Sequence, residues 1–156
     1  MRIEPVAPET AAAQRLLALS DAYMTALYPA ESNHLASAAD LKPPKAAFFG
    51  GYIAEELVAC GAIKLCHDDI PYAEIKRLFV VEQHRGKGLS RQMMQHLETC
   101  ARERGYTVIR LETGIRQPAA LGLYAALGYE ARGPFGDYSP DPLSLFLEKR
   151  LIDDPA

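Results

Sequence analysis

The sequence predicts an α/β domain in which helices pack on a mixed β-sheet. Two patterns along the chain indicate this fold class. Three strands first follow one another as a meander, and strands and helices then alternate up to the C-terminal region. A chain of 156 residues is long enough to bury a sizeable core. We therefore expect residues 1–156 to form a single domain.

The N-terminal region is predicted to contain one strand and one long helix. The strand covers Arg2–Ala7, and Thr10 is a plausible N-cap for a helix over Ala11–Tyr28. Pro29 interrupts this helix, and a second short helix is expected over Ser32–Ala39. The apolar side chains of the long helix roughly form one stripe, made of Leu16, Leu17, Tyr23, Met24 and Leu27.

The meander follows from three β-rich segments separated by turn residues. Ala46–Ala54 and Leu57–Leu65 are expected to pair as a hairpin around Glu55-Glu56. A second turn at 68–71 leads into a third strand over Tyr72–Val81.

The alternating part of the chain begins with a long amphipathic helix over Gly88–Arg104, which Gly105 ends. One face of the helix is apolar, with Leu89, Met93, Leu97, Cys100 and Ala101. The other face is predicted to be polar, with Arg91, Gln95, Glu98, Arg102 and Glu103.

The remaining elements are a strand, a helix and a closing pair of strands. Tyr106–Leu111 reads as a buried strand, and Pro118–Leu127 reads as a helix with proline at its first position. Tyr129–Arg132 and Leu143–Lys149 are expected to close the sheet.

Composition restricts the class of protein. The formal net charge of −3 lacks the basic footprint that general nucleic-acid binding requires, so we expect no nucleic-acid partner. The N-terminus has no signal-peptide pattern and no segment is apolar enough to span a membrane, so we expect a cytoplasmic protein. The three cysteines, Cys60, Cys66 and Cys100, are expected to be buried small hydrophobes.

A basic, glycine-bearing loop between a strand and a helix carries the main functional signal. Gly86 and Gly88 would let a bulky phosphate approach the free N–H groups of the helix start. Arg85, Lys87 and Arg91 add positive charge. The loop fits neither common nucleotide-phosphate motif, but its charge suits the phosphates of coenzyme A. A glycine turn with solvated basic residues is the alternative interpretation.

Two blocks of the sequence, in order, resemble the GNAT superfamily of N-acetyltransferases. The segment 85–90, Arg-Gly-Lys-Gly-Leu-Ser, is similar to the family signature Gln/Arg-x-x-Gly-x-Gly/Ala, with Ser90 as a departure. The segment 117–129 is similar to the pattern Asn-x-x-Ala-x-x-Leu-Tyr-x-x-x-Gly-Phe, with Gln117 and Tyr129 as departures. The resemblance covers about residues 72–150. It implies the acyl-CoA N-acyltransferase fold: a mixed, mainly antiparallel central sheet with helices on both faces.

The resemblance implies acetyl-CoA as the acyl donor. Backbone groups of Leu78, Phe79 and Val80 would pair with the pantetheine arm, and an N–H group of Phe79 or Val80 would serve as oxyanion donor. Gln117 and Tyr124 are also expected to contact the cofactor. The pyrophosphate would be held by the basic loop, namely Arg85, Gly86, Lys87, Gly88, Leu89, Ser90 and Arg91.

The acid and base of the reaction are also implied by the resemblance. Tyr124 is similar to the family's general acid for the departing thiolate, although it could instead be a packed core residue. Glu74 is the leading candidate for the base, because a regular strand would point it to the same face as Val80. Its alternative role is an ordinary exposed strand glutamate that pairs with Lys76 or Arg77. Glu112, at the end of the next strand, is the rival base, and water could also take part.

Two loops are predicted to surround the acceptor substrate. They contribute Tyr28 and Glu31 from residues 28–34, and Asp137 and Tyr138 from residues 135–141. The acidic side chains could attract an ammonium group, while the alternative is ordinary turn chemistry. Glu112 is also placed in this set. His84 could touch a phosphate, whereas His34, His67 and His96 are expected to be incidental, and no metal site is predicted.

These features predict an acetyl-CoA-dependent N-acetyltransferase that acts on a primary amine of a small molecule. The alternatives are a protein lysine or N-terminal acetyltransferase, or a non-catalytic acyl-CoA-binding sensor. By analogy with the family, a homodimer is possible, and no membrane partner is expected.

Overall fold

A seven-stranded sheet forms the centre of the computed structural model, which describes residues 1–151. The strands lie in the order β1-β2-β3-β4-β5-β7-β6, and only the β4–β5 pair is parallel. The prediction of a mixed, mainly antiparallel sheet is therefore confirmed. The strands are β1 (Arg2–Pro5), β2 (Ala46–Ile53), β3 (Glu56–His67), β4 (Pro71–Val80), β5 (Val108–Gly114), β6 (Glu130–Arg132) and β7 (Ser144–Arg150). The α-helices of the described chain are α1 (Ala11–Leu27), α2 (Leu89–Glu103) and α3 (Pro118–Ala126).

Helices cover both faces of this sheet. On one face, Tyr23 of α1 packs against Phe79 of β4, with 6.5 Å between their ring centroids. Phe79 pairs with Cys60, and the next residue of β3, Gly61, points to the opposite face. A side chain at Gly61 would meet Met93 and Leu97, which belong to α2. Thus α1 and α2 lie on opposite sides, as predicted.

The segment between α1 and β2 differs from the prediction. Instead of one helix over Ser32–Ala39, the chain forms two short 3₁₀ turns, Ala30–Ser32 and Ala38–Leu41. Ser37 and Asp40 satisfy each other's backbone N–H groups in a capping box, so a new turn starts at Ser37 rather than continuing an earlier helix. The extended residues between the turns bring His34 to the functional site.

In each of the helices α1 and α2, the exposure of one side chain differs from the prediction. Thr10 caps α1 as predicted, but Tyr23 is 36% exposed and does not belong to the buried face. In α2 the predicted apolar face is buried. Glu98, predicted to be on the solvent face, is only 6% exposed, because it accepts a hydrogen bond from Tyr129 and pairs with Lys149, each at 2.8 Å.

The cysteines follow the expectation only in part. Cys60 and Cys100 are buried, whereas Cys66 is partly exposed. Among residues 1–151, none of the helices combines the length and the apolar character needed to cross a membrane.

Candidate active site

A cleft opens where the parallel strands β4 and β5 separate. Their pairing is limited to Ala73 with Ile109 and Glu74 with Arg110, and the two strands then diverge. The cleft has a volume of about 570 Å³ and lies between the end of β4, the start of α2 and the helix α3. The backbone edge of β4 that faces β5 is therefore not paired with that strand along residues 78–80. Such an edge can pair with an extended ligand.

The basic loop forms one end of this cleft. Gly86 and Gly88 have positive φ angles of 78° and 77°, which side-chain-bearing residues rarely adopt. A Cβ atom at either glycine would meet no protein atom within 4 Å, so the space beside them is open. Gly88 is the N-cap of α2 and provides no side-chain cap. The first N–H groups of α2 are therefore available to an anion.

The charged side chains of the loop have different surroundings. Arg85 lies over the rings of Tyr23 and Phe79, at 4.8 and 5.5 Å, and donates a hydrogen bond to the Val80 carbonyl at 3.0 Å. Arg85 lines the cleft together with Leu89, Ser90 and Arg91. Lys87 does not line the cleft. Its Nζ lies 3.2 Å from Nδ1 of His84, which does.

Tyr23 is a cleft residue that the sequence analysis missed. Its place on α1 suggested a core position, but the ring lines the cleft and supports Arg85. Its position is decided by the packing of α1 beside the β4–α2 loop, which has no local signal in the sequence.

Tyr124 connects the cleft to a smaller inner chamber of about 90 Å³. Leu78, Gln117 and Tyr124 line both cavities. Tyr124 is only 7% exposed, and its hydroxyl has no hydrogen-bond partner within residues 1–151. Burial, with a smaller contribution from the nearby Glu112 carboxylate, raises the pKa of Tyr124 to about 12. The hydroxyl is therefore protonated at neutral pH and free to donate.

Glu112 is the carboxylate of the inner chamber. Its Oε2 accepts a hydrogen bond from Ser144 at 2.7 Å. Burial raises the pKa of Glu112 above that of an ordinary glutamate, although Ser144, His34 and Lys76 oppose the shift. The carboxylate also contributes to the raised pKa of Tyr124, which places the two groups within electrostatic reach of each other.

Glu74 lies in a different place from the one predicted. A β-bulge in β4, marked by Arg77 with a φ angle of 58°, inserts an extra residue opposite β3. Through the bulge, Glu74 points to the face of Phe79 rather than that of Val80. The expectation that Glu74 and Val80 share a face was therefore wrong.

Glu74 lines an outer cleft of about 350 Å³. It is 4% exposed, so it is not an ordinary exposed glutamate. Its Oε2 accepts a hydrogen bond from Tyr138 at 2.6 Å and lies 3.3 Å from Nζ of Lys76. The outer cleft is polar, and its charged side chains are Asp40, Asp68, Asp137, Glu74, Lys64 and Lys76.

Lys76, Tyr138 and His34 form the boundary between the outer cleft and the inner chamber. All three line both cavities. Nζ of Lys76 donates to the Tyr138 hydroxyl at 2.5 Å and to the His34 carbonyl at 3.2 Å. The His34 ring contacts Tyr138 edge-on, with 5.1 Å between centroids. His34 was therefore not incidental to this region. The pairing of Glu74 with Lys76, one of the alternatives considered from the sequence, is confirmed, although Glu74 is buried rather than exposed.

The remaining predicted acceptor residues are spread over three environments. Tyr138 lines the inner chamber and Asp137 the outer cleft. Glu31 is exposed on a 3₁₀ turn and lines neither cavity. Tyr28 is 3% exposed and lines neither cavity, and its hydroxyl donates to Gln117. The structure therefore brings neither Glu31 nor Tyr28 to the outer cleft or the inner chamber.

A cavity larger than the cleft lies elsewhere in the described residues. It is an apolar groove of about 920 Å³ between the β1–β2 edge and α2. None of the predicted site residues lines it, and it does not include the loop with the positive-φ glycines. The chemistry-bearing groups converge instead on the cleft and the inner chamber.

Comparison with known proteins gives consistent matches. The model of the acetyltransferase (GNAT) family matches residues 13–129. A relative from Azospirillum brasilense, named IAA acetyltransferase, is 43% identical over 131 residues, which are 84% of this chain and 85% of the relative. A crystal structure from Klebsiella pneumoniae subsp. pneumoniae MGH 78578, named as an acyl-CoA N-acyltransferase, has a TM-score of 0.83 at 37% identity and covers 97% of both chains.

The fold also matches more distant structures. An aminoglycoside 6′-N-acetyltransferase complexed with coenzyme A has a TM-score of 0.72 over 100% of both chains. At 17% identity, this likeness shows the fold alone.

Proposed function

Because this chain belongs to the GNAT family and is an N-acetyltransferase, we propose that it transfers the acetyl group of acetyl-CoA to a primary amine of a small molecule. The observation that carries the proposal is the position of Tyr124. Its side chain lines both the cleft beside the basic loop and the inner chamber that contains Glu112. A thioester in the cleft and an amine in the chamber would meet at this residue.

The cleft suits the shape and charge of acetyl-CoA. The open loop at Gly86 and Gly88, with the free N–H groups of α2, would hold the pyrophosphate. The pantetheine arm would lie along the β4 edge at 78–80, which is not paired with β5. Arg91 and the stacked Arg85 would add positive charge beside the phosphates.

The reaction would proceed by direct attack. The neutral amine nitrogen forms a bond to the thioester carbonyl carbon, and the resulting tetrahedral intermediate loses the CoA thiolate. Glu112 would take the proton released by the amine, and Tyr124 would give its proton to the thiolate. We assign the base to Glu112 rather than Glu74, because Glu112 shares the inner chamber with Tyr124. Glu74 instead lines the outer cleft, where its Oε2 is engaged by Tyr138 and Lys76.

The size and charge of the acceptor cavities favour a small amine. A chamber of about 90 Å³ admits an amino group and a few neighbouring atoms, but not a folded protein segment. The outer cleft presents four carboxylates and two lysines, so it would attract an ammonium ion. The Azospirillum relative is named for IAA, and IAA therefore belongs in the panel of acceptors to be tested.

Calorimetry with acetyl-CoA tests the cofactor, with ATP and NAD as controls. We expect binding of acetyl-CoA alone. A panel of small amines and a lysine peptide is then assayed for release of free CoA. Binding without turnover on any acceptor would favour an acyl-CoA sensor, and turnover on the peptide alone would favour a protein acetyltransferase. Absence of acetyl-CoA binding would refute the proposal.

A matched pair of variants tests the base. The pKa of Glu112 is raised, so the rate should rise with pH as this carboxyl loses its proton, at a higher pH than an ordinary glutamate would give. Glu112→Gln should remove this acid limb from the profile of kcat/KM. Glu74→Gln should leave the limb in place. If only Glu74→Gln removes it, the roles of the two carboxylates are reversed.

A further inference from the structure

The side chain of Tyr28 joins the end of α1 to the start of α3. Its hydroxyl accepts a hydrogen bond from the backbone N–H of Arg116 at 3.0 Å and donates one to Oε1 of Gln117 at 3.2 Å. The Arg116 side chain returns to α1 by donating to the carbonyl of Leu27 at 2.5 Å. These contacts hold the loop before α3 against the end of α1.

The contacts of Tyr28 also fix the orientation of the Gln117 amide. Since the hydroxyl oxygen already accepts the Arg116 N–H, the buried hydroxyl proton must find an acceptor. Within residues 1–151 the only acceptor it meets is Oε1 of Gln117. An amide nitrogen cannot accept a hydrogen bond, so the oxygen of Gln117 must face Tyr28.

The nitrogen of the same amide is therefore directed away from Tyr28. Gln117 lines both the cofactor cleft and the inner chamber, and its Nε2 group has no hydrogen-bond partner within residues 1–151. Two N–H donors are thus presented to the space where the cavities join. The matching ligand groups are carbonyl oxygens, which the pantetheine arm and thioester of acetyl-CoA supply.

We infer that Tyr28 is a positioning residue for acyl-CoA, acting through Gln117. It holds the Gln117 amide with its nitrogen toward the cofactor, so that a carbonyl of the acyl-CoA arm is bound without the cost of reorienting the amide. Tyr28 itself does not touch the cofactor or the acceptor. This inference rests on the proposed use of acetyl-CoA.

The variant Tyr28→Phe tests this role, because it removes the hydroxyl and keeps the buried ring. Loss of one oriented hydrogen bond should weaken CoA binding about 5-fold and raise the KM for acetyl-CoA by a similar factor. The kcat at saturating acetyl-CoA should change less than twofold. Tyr106→Phe is the matched control, since it removes a tyrosine hydroxyl that contacts His67 outside the site. It should leave CoA binding unchanged.

A double variant separates positioning from general loss of structure. Gln117→Ala alone should weaken CoA binding, and adding Tyr28→Phe should then have no further effect. Full additivity of the two changes would overturn the inference, because Tyr28 would act by another route. CoA binding by Tyr28→Phe equal to that of the wild type would also overturn it. Failure of the wild-type protein to bind CoA would instead refute the proposed function.

Discussion

Replacing Gly114 with alanine should destabilise the protein strongly, because Tyr28 lies against this glycine. A Cβ atom at Gly114 would be 1.9 Å from Oη, 2.1 Å from Cζ and 2.7 Å from Cε1 of Tyr28. Ordinary contacts begin at 3.4 Å. The tyrosine ring would have to move by about 1.5 Å, and its surroundings are closely packed.

The magnitude follows from two losses. Forcing an extra methyl group into a packed site costs about 1–3 kcal/mol, and occasionally more. Displacement of Tyr28 would also break its hydrogen bonds to Arg116 and Gln117, each of which contributes about 1 kcal/mol. We therefore expect the free energy of unfolding to fall by about 3–5 kcal/mol, which lowers Tm by roughly 6–20 °C in a domain of this size.

Urea denaturation followed by circular dichroism measures the effect. Gly122→Ala is the control, because it makes the same change in α3 at a position with no atom within 4 Å. It should raise the unfolding free energy by about 0.5–1 kcal/mol. In Gly114→Ala, the added change Tyr28→Leu removes the two closest atoms and should restore part of the loss. A Gly114→Ala variant within about 0.5 kcal/mol of the wild type would refute the reasoning.

Three further predictions address the site and the sheet. Tyr124→Phe should lower kcat for acetyl transfer by about 10²-fold or more in steady-state kinetics, while CoA affinity measured by calorimetry changes little. If the variant is as active as the wild type, Tyr124 is a packing residue. Gly88→Glu should abolish CoA binding in calorimetry, because the introduced glutamate would fill the open space beside the α2 N-terminus and repel phosphate. Unchanged CoA affinity would exclude the loop as the phosphate site. Arg110→Met should lower the unfolding free energy by about 2–3 kcal/mol at pH 7, because buried Arg110 binds Asp69 at 2.8 and 2.9 Å and Glu148 at 2.7 Å. Burial of Glu148 opposes ionisation, but its bonds to arginine outweigh this and lower its pKa, and bonds from Arg110 lower the pKa of Asp69. The stability from this pairing is therefore present above about pH 4.3 and lost at lower pH. The difference in unfolding free energy between variant and wild type should shrink in acid, and a constant difference would contradict the pairing.

The sequence predicted most of the elements because their signals are local. The seven strands and three α-helices of residues 1–151 were all predicted, with bounds within about two to three residues. Thr10 and Gly88 mark helix starts through the chemistry of a single residue or turn. The basic loop and Tyr124 were predicted in the same way, because both motifs depend on neighbours along the chain, and their roles in cofactor binding and catalysis stay predictions.

Errors arose where a residue's surroundings depend on distant segments. The error over Ser32–Ala39 is the exception and is local, because the capping box at Ser37 divides this region into two turns. Glu98 was assigned to solvent, yet Tyr129, just before β6, and Lys149 of β7 reach it from far along the chain. Helical periodicity identifies a face, but not what packs against its edges.

The sequence alone thus determined the basic, glycine-bearing loop and the helix that follows it. The tertiary structure decided where the carboxylates lie. The β4 bulge at Arg77 reverses the side on which Glu74 lies, and no residue type in the strand requires a bulge there. Lys76 meets Tyr138 across 62 residues of chain. Glu112 shares its chamber with Tyr124 only because β4 and β5 separate. Strand register and splay minimise the free energy of the whole sheet, so no short stretch of sequence encodes them.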